Sequence, residues 1–176
     1  MDFRDIKEFF LDAFKYLVFF GCILFIVVYC FSLQQVLGES MYPTFYDNDI
    51  LILNKLKYRF SDIERGDVVA LRFEDTNYLI KRVIGLPGEV VEFKDNQLYI
   101  NGKVVEEDYL GEDVVTEDFQ LSQIGYEKIP EGMYFVLGDN REHSSDSREL
   151  GLVTERDILG ETSIRIFPFN RIKIFK

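Results

Sequence analysis

The chain has 176 residues, a formal charge of -11 and a pI near 4.6, which excludes a nucleic-acid binder built on a basic, counterion-displacing face. Its length allows one anchor segment and one domain of roughly 140 residues with its own core, and excludes two large domains. Both cysteines, Cys22 and Cys30, lie in an apolar run near the amino end, so the polar remainder holds no thiol and can form no disulfide.

Phe3, Ile6, Phe10, Ala13, Phe14 and Leu17 recur at helical spacing among charged residues, which predicts a short amphipathic cytoplasmic helix over residues 1–15. No charged residue occurs from Tyr16 to Gly38, and the stretch to Leu33 is apolar apart from Gly21 and Ser32. Such a run can cross about 30 Å of hydrocarbon, and a transmembrane helix is predicted over 16–36. The alternatives are a buried core helix and a cleaved signal peptide, and Leu33–Leu37 carries no small-x-small cleavage pattern. Arg4, Lys7 and Lys15 precede the span and no Lys or Arg follows until Lys55. That bias predicts a single-pass protein with a cytoplasmic amino end and an extracytoplasmic polar domain.

Residues 37–176 are expected to form that domain. Asp47-Asn48-Asp49 predicts a turn rather than a calcium loop, because no further ligands follow at loop spacing. Strands are predicted at Ile50–Leu53, Val68–Phe73 and Tyr78–Ile84, the last two joined by the polar turn at 74–77 and closed by Gly85-Leu86-Pro87-Gly88. Glu89–Phe93, a turn at Asp95-Asn96, Gln97–Ile100, Asn101-Gly102 and Lys103–Val105 follow, and Asn-Gly between alternating runs is a strong hairpin signal. Residues 106–130 form an acidic insertion without Lys or Arg up to Glu127, expected to be solvated. Gly132–Leu137 predicts a strand, Gly138–Gly151 a long polar loop of the kind that carries function, Thr162–Phe167 a strand, and Arg171–Lys176 a basic tail. The fold class is therefore mainly β, a coiled, barrel-like antiparallel sheet preceded by one transmembrane helix.

Nucleophilic catalysis needs a hydroxyl or thiol and a base to take its proton. The thiols sit in the apolar run. His143, the only histidine, lies beside Asp139, Ser144 and Asp146; a Ser-His-Asp triad is conceivable there, but a lone His in a polar loop reads as a surface residue. One His and no Cys in the domain give no metal-site spacing, and no metal or other cofactor is expected. Lys81 stands out among the lysines, because Leu79, Ile80, Val83 and Ile84 flank it. Desolvation there would lower its pKa toward that of a useful base, the alternative being a side chain that snorkels to the surface.

Gly38-Glu39-Ser40-Met41-Tyr42-Pro43-Thr44, Arg65-Gly66-Asp67-Val68-Val69, Lys81-Arg82-Val83-Ile84-Gly85-Leu86-Pro87-Gly88-Glu89, and Val136-Leu137-Gly138-Asp139-Asn140-Arg141 with Ser144, Asp146-Ser147-Arg148 and Gly151 resemble the successive boxes of bacterial type I signal peptidases. The boxes occur in order, directly after the anchor. The resemblance implies a Ser-Lys endopeptidase of the outer face of the cytoplasmic membrane that removes signal peptides from secretory preproteins after small residues. Membrane lipids are the expected surroundings of the apolar run, and the acidic charge leaves no nucleic-acid partner expected. Ser40 matches the nucleophile, Lys81 the general base, Ser144 the hydroxyl that orients the amine, and Asp146 with Arg148 a supporting pair. Asp139 and Asn140 match the loop turn. Where some relatives carry an oxyanion-binding serine two residues before the nucleophile, this chain has Gly38, so the oxyanion is expected to rest on backbone N–H groups including that of Ser40. Glu142-His143 replaces a common Asp-Asn pair, Leu150 stands where an aromatic is frequent, and the large extra β domain of some relatives is absent. Two rival readings are a self-processing Ser-Lys peptidase of the repressor type, and an inactive anchored β-domain that binds a membrane partner.

Overall fold

The computed structural model describes residues 3–73, 77–111 and 113–175. Residues 74–76 of the expected polar turn, Glu112 of the acidic stretch and Lys176 of the tail lie outside them.

A single helix, α1 (Phe3–Cys30), joins the stretch expected as an amphipathic helix over 1–15 to the expected transmembrane helix over 16–36 without interruption. Nothing between Lys15 and Tyr16 interrupts helical geometry, and Lys15 pairs with Asp12 at 2.9 Å one turn earlier. Ile6–Cys30 is long and apolar enough to cross a membrane by length and composition, and its 25 residues rise roughly 37 Å. Phe20, Leu24, Phe25 and their neighbours stay exposed, which removes the buried-core-helix alternative. The helix ends at Cys30, short of the expected 36, because Phe31–Gln35 (β1) pairs antiparallel with Ile50–Asn54 (β2). No charge, Gly or Pro marks a stop within Phe31–Gln35; the partner strand decides.

After α2 (Lys57–Phe60) come β3 (Val68–Phe73), β4 (Asn77–Gly85), β5 (Val91–Lys94), β6 (Gln97–Ile100), β7 (Lys103–Val105) and β8 (Phe119–Gln120). The chain continues through β9 (Met133–Leu137), α3 (Ser147–Leu150), β10 (Val153–Thr154), β11 (Ile158–Phe167) and β12 (Lys173–Ile174). The main sheet runs β1-β2-β11-β3-β4-β9-β10 with β12 on β11, and a second runs β7-β6-β5-β8. All pairings are antiparallel. The mainly β, antiparallel expectation holds, but barrel-like closure does not: among the described residues nothing joins β1 to β10. Register shifts along β11 bend the sheet instead of closing it.

Asn101-Gly102 makes the expected two-residue turn, with φ of 51° and 75°, and Asp95-Asn96 makes a second one at 51° and 61°. Positive φ at both positions matches the strand twist and suits Asn, Asp and Gly. Ile84, Phe93, Phe119, Phe135 and Leu137 pack the two sheets into one core, while Met41, Phe45, Leu51 and Val68 form another behind the β1–β2 loop.

The acidic stretch is more than a solvated face. Glu107 pairs with buried Arg141 at 2.6 Å, Arg141 donates to buried Thr116 at 2.9 Å, and the Arg82 guanidinium lies 3.9 Å from the Tyr109 ring centre. Its remaining described acids, among them Glu106, Asp108, Asp113 and Glu117, are exposed as expected. Asp49, expected only as a turn residue, is fully buried and pairs with Arg165 and Arg171, each at 3.0 Å.

Candidate active site

Ser40 lies in the loop between β1 and β2. Val36 and Asp49 close the loop's base, with Val36 N–H donating to Asp49 O at 2.9 Å and Asn48 N–H to Val36 O at 2.9 Å. Gly38 takes φ +82°, a conformation glycine adopts without strain, and its N–H donates to Asp47 Oδ1 at 2.8 Å. Met41 and Phe45 are buried to 1% and 0% exposure, so the residues just after Ser40 plug the core and fix where its side chain starts.

Lys81 comes from the middle of β4, opposite Val69 of β3. Its Nζ donates to Ser40 Oγ at 2.8 Å, joining two residues far apart in sequence. Lys81 is 2% exposed. Burial lowers its pKa from 10.5 to about 8; the Asp146 and Asp139 carboxylates push back upward and the Arg148 guanidinium assists the lowering. Among the described residues no carboxylate forms an ion pair with it.

The loop between β9 and α3 supplies the remaining expected residues. Asp146 caps α3 and accepts from Arg148 Nε at 2.9 Å, Arg148 Nη2 at 3.0 Å and the Gly138 N–H at 3.1 Å. Arg148 Nη2 also donates to Arg141 O at 2.7 Å, so this pair braces both ends of the loop. Ser144 sits beside Ser40: a Cβ added at Gly138 would lie 2.2 Å from Ser144 Oγ and 2.3 Å from the Ser40 backbone oxygen. The Ser144 hydroxyl is buried and makes no hydrogen bond, to Lys81 or to any other described residue.

His143 is exposed, and its backbone N–H donates to Asn140 O at 3.0 Å. Its ring donates to no described residue near Ser40, which leaves the triad without support. Arg82 and Thr44 were not singled out from the sequence, and Asp139 and Asn140 were expected only as residues of the loop turn. Arg82 Nε and Nη2 donate to the two Asp139 oxygens at 2.9 and 2.7 Å, with both side chains buried. Thr44 Oγ1 donates to the same carboxylate at 2.5 Å. Asn140 bonds the Ser40 loop directly, through its N–H to Ser40 O at 3.0 Å and its Nδ2 to Glu39 O at 3.1 Å. A usable signal existed for Arg82, because a cation in an apolar strand needs a buried anion.

Beside Lys81 lies a cavity of about 150 Å³, lined by Leu79, Val136, Asp146, Leu152 and Val153 among others. A hydroxyl within hydrogen-bond reach of a dry amine is suited to acyl transfer, with the hydroxyl as nucleophile and the amine as its base.

The family model described as signal peptidase, peptidase S26 matches residues 8–167. The chain is 47% identical over 137 residues to signal peptidase I V of Bacillus subtilis (strain 168), covering 73% of this chain and 82% of that protein. It is 40% identical over 164 residues to signal peptidase IB of Staphylococcus aureus (strain Mu50), covering 86% of each. A crystal structure of a signal peptidase I from Enterococcus faecalis V583 superposes with a TM-score of 0.52 at 40% identity, over 57% of this chain and 97% of that one. With a match from the second turn of α1 to the end of β11 and relatives this similar, the chain belongs to the signal peptidase family, peptidase S26.

Proposed function

We propose that this chain is a membrane-anchored serine endopeptidase that cleaves N-terminal signal peptides from translocated preproteins after small residues, with Ser40 as nucleophile and Lys81 as general base. The observation that carries the assignment of roles is the 2.8 Å contact between Lys81 Nζ and Ser40 Oγ in a site that burial has already biased toward the neutral amine.

In the reacting state the neutral amine accepts the Ser40 hydroxyl proton across that contact while Oγ attacks the scissile carbonyl. The tetrahedral intermediate collapses by expelling the new amino terminus, which takes the proton from the Lys81 ammonium and leaves the signal peptide esterified to Ser40. Water then attacks the ester, giving its proton to Lys81, and that proton returns to Ser40 Oγ as the acyl group departs. Ser144, buried next to Ser40 with its hydroxyl unspent, is available to hold the amine when Oγ is engaged by substrate. Asp146 and Arg148 act at one remove, by holding the loop that carries Gly138 and Ser144.

Anchoring concentrates enzyme and substrate in one bilayer. Lys55 N–H donates to Cys30 O at 2.9 Å, and the Arg59 guanidinium lies 5.7 Å from the Tyr29 ring centre. These contacts tie the β domain to the end of α1. Arg4, Lys7 and Lys15 all precede the uncharged run that starts at Tyr16, and this bias favours a cytoplasmic amino end and a catalytic domain (37–176) on the far side. Full-length protein in lipid vesicles is expected to cleave a signal-peptide-bearing preprotein, and Ser40→Ala and Lys81→Ala to abolish cleavage while remaining folded. Cleavage surviving either change would overturn the assignment.

A further inference from the structure

The Glu39–Ser40 peptide is held from one side only. The Glu39 carbonyl accepts from Tyr42 N–H at 3.0 Å and from Asn140 Nδ2 at 3.1 Å, and the next carbonyl, that of Ser40, accepts the Asn140 N–H at 3.0 Å. In a trans peptide the C=O and N–H point in opposite directions, so donors that fix the Glu39 oxygen also fix the Ser40 N–H on the other side. Among the described residues that N–H donates to no protein acceptor. The residue two positions earlier offers nothing to replace it, since Gly38 has no side chain and its N–H is taken by Asp47 Oδ1.

We infer that Asn140 is a positioning residue for the oxyanion hole: its side-chain amide sets the plane of the Glu39–Ser40 peptide and thereby aims the Ser40 N–H at the oxygen that gains charge during attack. Asn140 donates its hydrogen bonds to the Glu39 and Ser40 carbonyls and makes none to Lys81. Its effect passes through one peptide unit, which its hydrogen bond also polarises, making the Ser40 N–H a stronger donor. Asparagine suits the task because its backbone N–H and its side-chain amide reach two successive carbonyls at once; an isosteric aspartate would keep the backbone bond and set a carboxylate against the Glu39 oxygen.

The inference rests on the reading of Ser40 as nucleophile, and the experiment separates the two. Full-length wild type, Asn140→Ala, Asn140→Asp and Ser40→Ala are compared in detergent micelles for kcat and KM on a signal-peptide substrate. The pH dependence of kcat/KM is measured alongside, together with affinity for two ligands of one sequence, a peptide aldehyde that forms a hemiacetal oxyanion and a non-cleavable peptide. Asn140→Ala and Asn140→Asp are expected to lower kcat on the order of 10- to 100-fold, less than loss of an oxyanion donor outright. KM and the pH midpoint stay at wild-type values, and aldehyde affinity falls in parallel with kcat while affinity for the non-cleavable peptide holds. A merely structural role would not divide the two ligands. If Asn140→Ala does not fold, Asn140→Asp carries the test on the same criteria. Unchanged kcat, a shifted pH midpoint, or equal loss for both ligands overturns the inference. Cleavage surviving in Ser40→Ala overturns the nucleophile assignment, and this inference with it.

Discussion

Lys81→Met should abolish cleavage and at the same time stabilise the fold at neutral pH. The amine is 2% exposed, and burial lowers its pKa from 10.5 to about 8 despite two carboxylates that oppose the shift. That gap corresponds to about 3 kcal/mol, at 1.36 kcal/mol per tenfold change in the protonation equilibrium. The sign follows from proton linkage. Below pH 8 both native and unfolded chains carry the ammonium, and the native state bears the full cost of burying it. Between pH 8 and 10.5 the unfolded chain binds more protons, so wild-type stability rises with pH; above 10.5 the cost is gone. Methionine has similar length and no charge, and at pH 7 it should raise the melting temperature by roughly 6–12 °C for a chain of this size. The assay is thermal unfolding of the full-length protein in detergent, followed by far-UV circular dichroism from pH 6 to 10.5. A variant no more stable than wild type at pH 7, or a stability difference that does not shrink as pH rises, would refute the claim that this lysine is held in a dry, charge-averse site.

Gly138→Ala should reduce kcat on the order of 10²-fold, measured by peptide cleavage, because its Cβ would meet Ser144 Oγ at 2.2 Å and the Ser40 carbonyl at 2.3 Å. Asp139→Ala strips the partner from a buried Arg82 and should cost about 3–5 kcal/mol in urea unfolding; the pair is 3% and 0% exposed. Glu107→Ala should loosen the acidic segment from Arg141, seen as faster limited proteolysis within residues 106–118. His143→Ala should leave both kcat and its pH midpoint unchanged, since that side chain is exposed and outside the dyad.

What could be read in advance depended on how local the determinants are. Asn101-Gly102 and Asp95-Asn96 announced their turns because the required positive φ is a property of those residues alone. The dry setting of Lys81 was visible in its strand neighbours, and the apolar run of α1 in its composition. The exit from α1 was not, because Phe31–Gln35 carries no charge, Gly or Pro to mark a stop and only its ladder with Ile50–Asn54 makes it a strand. Open rather than closed sheet geometry depends on pairings between distant strands. The acidic stretch misled for the same reason: Glu107 and Tyr109 look solvated until Arg141 and Arg82, from two other parts of the chain, cover them. Likewise, a family resemblance supplied the pairing of Ser40 with Lys81, and no local pattern could have placed Asn140 against the nucleophile loop.

The dyad itself is tested most directly by the pH dependence of kcat/KM for cleavage of a lipid-embedded preprotein, with Lys81→Ala run in parallel. Activity should rise with pH as Lys81 loses its proton, through a midpoint near its lowered value of about 8, and Lys81→Ala should show no cleavage at any pH. Cleavage by Lys81→Ala, or a midpoint in the ordinary histidine range that disappears in His143→Ala, would contradict the account.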